Sequence, residues 1–438
     1  MIKLNRSEQA NLVAEGPMGP INVPYLLRFD RPVDTDLLRQ SLWDLMMAQP
    51  RLRAVLSPGW FTYQLEVLDD EFLLRQLFDV AFSVWTGVPM DTPAHTEAAH
   101  TQELNTPISL QRNLPWRAVY DPRPEQPVLI FNVHHVMADG ATMGFLTQAL
   151  LARLQGQAMS PSPIESPSQR LGLWPRRPWQ WPGMVWALVQ AHRRDARRAK
   201  GARIVTLQTR HYPRFSHAKV HHAELPCTLT QFKAAAKAAN TTVNTLLTAC
   251  LAQIFLAPHR QDPKAQAVLR IAVDLRKYFP EGHAPRMGNF VVNMVIRAGH
   301  ESSLADQIKS IHEQITDHLA RFERHERAIP YLLLAGLPFI GLRLMSKLLQ
   351  SMRASGGLAK TTCFLTNLGS ADVLQPKGDG PRLTELRPLS VGPSFFMAAS
   401  SLADKMFLTL CHQHVDFDQG TIDEFLVALQ QQVQSLPR

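Results

Sequence analysis

Apolar and polar positions along the chain follow two periods, and the changes of period mark its elements. Val23–Phe29 reads as a strand. Val33-Asp34-Thr35-Asp36 opens a helical run, Leu37–Ala48, with apolar positions at Leu38, Leu42, Leu45 and Met46. Arg51–Leu56 and Phe61–Val67 follow as strands. Trp116–Tyr120 and Val128–Val133 form a strand pair joined by the turn-rich Asp121-Pro122-Arg123-Pro124-Glu125, and Ala141–Leu154 returns to helical spacing. A second series begins with a strand near Val220. The helix Leu229–Ala239 comes next, capped by Thr228 or Thr230. Thr241–Ala257 is apolar nearly all round and is therefore expected to be buried. Val268–Val273, Val291–Ile296, Thr362–Leu365 and Phe407–His412 read as strands, and Ile422–Leu436 as the last helix.

A chain of 438 residues with 45% apolar and 19% charged positions is globular and long enough for two domains. Between Ser160 and Pro182 the composition shifts to Pro, Ser, Arg and Trp. This predicts a first lobe over 1–165, a bridge over 166–215 and a second lobe over 216–438. The net charge of +9 is local: ten Lys and Arg between Arg176 and Arg214 face Asp195 alone. The first eight residues lack an apolar core of signal-peptide length, and Cys227, Cys250, Cys363 and Cys411 have no metal-ligand spacing. Reduced thiols, no metal and a cytoplasmic location are expected.

The chemistry concentrates in His134-His135-Val136-Met137-Ala138-Asp139-Gly140, between the apolar strand and the helix that follows. A strand end can fix an imidazole at the mouth of a cleft. The ordinary pKa of histidine suits it to accept a proton from an alcohol, amine or thiol. Asp139 is placed to make a charged contact that shapes the turn, and Gly140 to adopt backbone conformations closed to other residues. No Gly-x-Ser-x-Gly nucleophile elbow accompanies the motif.

The His-His-x-x-x-Asp-Gly string resembles the active-site motif of the chloramphenicol-acetyltransferase-like superfamily. That group includes peptide condensation domains, wax-ester synthase/diacylglycerol acyltransferases and alcohol acetyltransferases. Weaker resemblances lie in Pro115–Ala118, Leu229–Ala252, Ala272–Arg276, Gly288–Phe290 and Thr366–Gly369. The resemblance implies an α/β fold of two similar mixed-sheet lobes forming a V around a central active-site tunnel. It implies that His135 is the general base, supported by His134, and that Gly140 keeps the turn open. Asp139 would be ion-paired with an arginine, and Arg53 stands where condensation domains carry one. Asn244, Arg276, Asn289 and Asn367 are the tunnel candidates.

The implied reaction moves an acyl group to a hydroxyl or amine of a hydrophobic acceptor. Acyl-CoA or a phosphopantetheinyl acyl carrier protein would be the donor and co-substrate, with no bound cofactor. The chain lacks the Asp-Phe-Gly-Trp-Gly segment of plant acyltransferases and many condensation domains, which leans the reading toward ester formation. The alternatives are an amide- or ester-forming enzyme of a non-ribosomal peptide or polyketide pathway, and a non-catalytic descendant that binds an acyl carrier.

Trp174, Trp179, Trp181 and Trp186 precede Arg193, Arg194, Arg197 and Arg198. Tryptophan beside clustered arginine suits the inner face of an anionic membrane, or the docking of an acidic carrier protein. Nucleic acid is not expected, because no recognition motif accompanies the charge. Ala328–Leu342 is a second apolar run. It is too short to span a bilayer, and Pro330 and Pro338 interrupt it, so a buried helix or tunnel wall is expected.

Overall fold

The computed structural model describes residues 1–58, 63–164, 177–324, 326, 342–357, 360–392 and 394–436. Trp174, Arg176 and all of the 328–342 run except its last residue lie outside these. In chain order the first half comprises β1 (Ile2–Lys3), α1 (Arg6–Ala14), β2 (Asn22–Phe29), α2 (Thr35–Ala48), β3 (Ala54–Pro58) and β4 (Tyr63–Val67). It continues with α3 (Glu71–Ala81), β5 (Phe82–Val84), α4 (Pro93–Asn105), β6 (Trp116–Asp121), β7 (Val128–His134) and α5 (Gly140–Leu154). The second half comprises α6 (Trp181–Ala199), β8 (Arg203–Ile204), β9 (Ala218–Glu224), α7 (Leu229–Ala238), α8 (Val243–Leu256), β10 (Ala265–Asp274) and β11 (Val291–Ala298). Then come α9 (Leu304–Glu323), α10 (Leu342–Ala354), β12 (Cys363–Ser370), β13 (Leu383–Arg387), β14 (Phe396–Leu402), β15 (Lys405–Gln413) and α11 (Gln419–Gln434).

Two mixed sheets organise the molecule. One has the order β13-β2-β7-β6-β5, the other β11-β10-β12-β14-β15-β9 with β8 added beside β10. Parallel pairs (β5 with β6, β10 with β12, β12 with β14) occur alongside antiparallel ones, so each sheet is mixed. A small separate sheet, β1-β4-β3, contributes Ile2, Leu56 and Leu65 to the first core. The first core gathers alternate residues of β2 and β7 (Tyr25, Leu27, Leu129, Phe131) against α2 and α5, as a strand period of two demands. Burying a side chain such as Phe131 contributes about 1.5–3 kcal/mol. The second core is built on α8, whose residues Thr245–Cys250 are all buried, as a helix apolar nearly all round requires.

Two expectations change. Pro50–Arg53 forms a 3-10 turn rather than a strand, because Pro50 opens it, and extended structure starts only at Ala54. The division at 166–215 does not separate the sheets cleanly. β13 comes from the second half but pairs antiparallel with β2, and Leu383 and Leu386 join the first core. The first sheet is thus completed by a strand that the chain delivers after most of the second sheet is built.

Candidate active site

β7 ends at His134, opposite Asn22 of β2, and the amide of His135 continues the pairing by donating to the carbonyl of Ile21 at 2.8 Å. The chain then turns, with Met137 N–H bonded to His134 O. His134 is fully buried. Its Nδ1 accepts from the Val136 amide, and its Nε2 lies 3.2 Å from Glu15 of the segment that follows α1. It braces the turn and faces away from the cavity.

His135 is half-buried and lines a cavity between the two lobes. Its Nδ1 lies 2.6 Å from the carbonyl oxygen of Ala138, which can only accept, so the proton resides on Nδ1. Nε2 is left with its lone pair. Burial holds the ring below the usual histidine range, aided by neighbouring His134 and opposed by Ala138 and Asp139. The ring is therefore neutral at pH 7. Asn289 supports it from the second lobe, its side-chain amide donating to His135 O at 2.8 Å.

Asp139 caps α5 by accepting from Thr142 N at 2.9 Å. Its other oxygen receives Arg276 Nη1 at 2.7 Å and the Phe290 amide at 2.8 Å, so a fully buried carboxylate has a full set of donors. Arg276 also donates to Thr142 Oγ1, Gly288 O and Pro285 O. These bonds sew the loop 285–290 onto the histidine turn. Arg276, expected as a tunnel residue, is the partner of Asp139. Arg53 is not: it pairs with the exposed Asp69.

A second brace comes from α1. Asn5 and Glu8 form a capping box, and Glu8 also accepts from Arg51 at 2.7 Å and from the Asn289 amide at 3.2 Å. Gly288 lies between the two braces with φ +117, and a Cβ there would stand 2.8 Å from Glu8 Oε1. Gly140 is different from expectation. It has no positive φ, and a Cβ would meet only Tyr25 Oη at 3.6 Å and a Leu368 methyl at 3.7 Å. Its value lies in space rather than backbone freedom.

That space joins two cavities. The one at His135 holds about 840 Å³ including its mouth, and a second of about 980 Å³ lies beyond Gly140. Gly140, Ala272, Val291, Thr366 and Leu368 line both. Asn367 lines the second cavity, whereas Asn244, in the first turn of α8, lines neither. Among the described residues, no Asp, Glu, Lys or Arg lines the His135 cavity. Burial raises the Cys250 and Cys411 thiols to about 12, so neither is a nucleophile at neutral pH. Among the described residues, no three His, Cys, Asp or Glu are placed to hold a metal.

Sequence reasoning missed Glu8, Glu15, Arg51 and Tyr25. Only the Asn5-x-x-Glu8 capping spacing offered a signal, and it pointed to a helix start rather than to the site.

No family model matches the chain. Over 168 residues, 37% of its length, it is 29% identical to a probable non-canonical nonribosomal peptide synthetase of Salinispora arenicola, and the match spans 2% of that much longer relative. The whole chain superposes on the first condensation domain of the calcium-dependent antibiotic synthetase (TM-score 0.67, 14% identity, 97% of that chain). It also superposes on a trichothecene 15-O-acetyltransferase from Fusarium sporotrichioides (TM-score 0.70, 10% identity, 94% of that chain). A wax ester synthase/diacylglycerol acyltransferase from Marinobacter aquaeolei aligns over 99% of this chain and 98% of its own (TM-score 0.56, 18% identity). Identities this low carry the fold, and that fold is the two-lobed α/β architecture shared by condensation domains and acyltransferases of the chloramphenicol-acetyltransferase-like superfamily.

Proposed function

We propose that the protein is an acyltransferase in which His135 Nε2 acts as general base. The nucleophile, a hydroxyl or amine, gives its proton to Nε2 as it attacks the thioester carbonyl. The tetrahedral intermediate collapses with cleavage of the C–S bond, and the imidazolium returns the proton to the departing thiolate. The observation that carries this reading is the His135 ring itself: Nδ1–H is committed to Ala138 O, and the ring is neutral and faces a cavity. A thioester is already activated, so a positioned base is sufficient.

The two cavities that meet at Gly140 suit a donor and an acceptor arriving from different sides. The described residues of the wall carry no charged side chain, which favours uncharged, apolar groups beside His135, because a buried ion would find no partner among them. This supports a hydrophobic acceptor and ester formation. The donor is a CoA or carrier-protein thioester. A second reading, amide or ester formation in a peptide-assembly pathway with carrier-bound substrates, is favoured by the likeness to the Salinispora synthetase. The intact His135 turn weighs against a purely binding role.

The test is mass spectrometry of the purified protein with a panel of acyl-CoAs and acyl-loaded carrier proteins, with alcohol and amine acceptors added in turn. An acylated alcohol formed by the wild type and not by His135→Ala supports the first reading. An amide formed only from carrier-bound donors replaces it with the second. No product from any pair overturns both.

A further inference from the structure

The bridge between the lobes carries a helix whose outer surface is unlike that of an ordinary solvated helix. Residues four apart on α6 lie on one ridge, and on this ridge stand Trp181, Val185, Val189, Arg193 and Arg197. The first half of the ridge is apolar and the second half cationic. Val185 and Val189 are 44% and 41% exposed, and neighbouring Trp186 and preceding Trp179 are 67% and 71% exposed. The opposite side holds the helix to the protein: Met184 and Ala191 are buried, and Asp195 pairs with Arg321 of α9 at 2.7 Å. Asp195 is the only acid of α6 and is turned away from the ridge. The four arginines therefore divide. Arg193 and Arg197 continue the apolar ridge, whereas Arg194 lies 3.7 Å from Asp317, and helical spacing sets Arg198 off the ridge.

We infer that this face of α6 docks the protein on an anionic lipid bilayer. Large exposed tryptophan and valine side chains grouped on α6 and the turn that leads into it are a cost in water that the interfacial layer of a bilayer removes. Tryptophan rings settle at headgroup depth, and two turns further along, Arg193 and Arg197 reach lipid phosphates with no carboxylate of the same helix to oppose them. An acidic protein partner would satisfy the arginines but would need a matching groove for three exposed indoles. Surface attachment rather than insertion fits the rest of the molecule. Among the described residues no single helix is long and apolar enough to cross a membrane, and the one bent pair that passes on length and composition ends in α8, which is core.

The inference is independent of the reaction proposed above, and its test reads binding alone. The full chain is floated with vesicles of phosphatidylcholine, with and without phosphatidylglycerol. The wild type should float only with the anionic vesicles, and tryptophan emission should shift to the blue. Arg193→Gln with Arg197→Gln should lower partitioning about 25-fold, each arginine contributing a factor of about five. Trp179→Ser with Trp186→Ser should lower it and remove most of the blue shift, while both variants keep the wild-type circular dichroism. Added salt should act like the arginine changes, since 0.1 M salt confines the attraction to about 10 Å. Three results overturn the inference: no flotation of the wild type, flotation unaffected by either variant, or a solution dimer dispersed by the tryptophan changes. Binding of an acyl carrier protein, lost in the arginine variant and unaccompanied by vesicle binding, would also overturn it.

Discussion

Asp139 and Arg276 are 137 residues apart in sequence and meet at 2.7 Å, the carboxylate fully buried and the guanidinium nearly so. The pair ties the histidine turn of one lobe to the loop of the other. Asp139→Ala should therefore lower stability by about 3–5 kcal/mol, since it leaves Arg276 buried without its counter-charge. Arg276→Ala should cost a similar amount, and the double variant should cost less than the sum. Arg53→Ala, which removes a pair with an exposed carboxylate, should cost no more than about 1 kcal/mol. Denaturant titration of the four variants checks this; an Arg53 effect equal to that of Arg276 would refute it.

His135→Ala should reduce turnover by about two to four orders of magnitude with the melting temperature unchanged or raised, as for loss of a general base. His134→Ala should lose stability first, because it removes a brace to Glu15 and Val136. Turnover and thermal melts measured side by side separate the two roles.

The two glycines of the site should respond in opposite ways. Gly288→Ala forces a side chain into a left-handed conformation against Glu8, costing about 1–3 kcal/mol in backbone strain alone. Gly140→Ala meets only ordinary contacts and should fold normally, yet its methyl narrows the junction of the cavities. Its signature is a raised KM or lowered kcat at wild-type stability.

Acidity acts on both activity and fold. Burial lowers the pKa of His135, so the neutral form that the proposed mechanism requires persists below the usual histidine range. The acid limb of kcat/KM should accordingly fall below pH 6.5. Burial also holds His100 at about 4, against 6.5 for an unperturbed ring. Between these values the unfolded chain takes up a proton that the folded one refuses. Stability is thus lost as pH falls, by up to about 1.4 kcal/mol per pH unit from this residue. Melting curves from pH 7 to pH 4 test the sign; His100→Asn should flatten the slope.

Much of this was written in local pattern. The strand before the histidines, the helix after Asp139 and the buried α8 follow from spacing alone, because periods of 2 and 3.6 record which side faces a core. The histidine string could be found for the same reason: its residues are contiguous, and a strand end followed by a capped helix is a local event. The partner of Asp139 was not local. Arg53 and Arg276 are equally cationic, and only the packing of loop 285–290 against the turn brings the second one within 2.7 Å while Arg53 reaches Asp69. The same holds for β13, whose five residues join a sheet begun some 350 positions earlier (Glu385 beside Arg28). It holds too for Glu8 and Gly288, 280 positions apart in sequence, where a Cβ on the glycine would run into the carboxylate that the Asn289 amide and Arg51 hold in place. Backbone periodicity is set by a residue's near neighbours. The choice among chemically equal ion-pair partners depends on which surfaces the finished fold presses together and removes from water, and that is decided by tertiary packing.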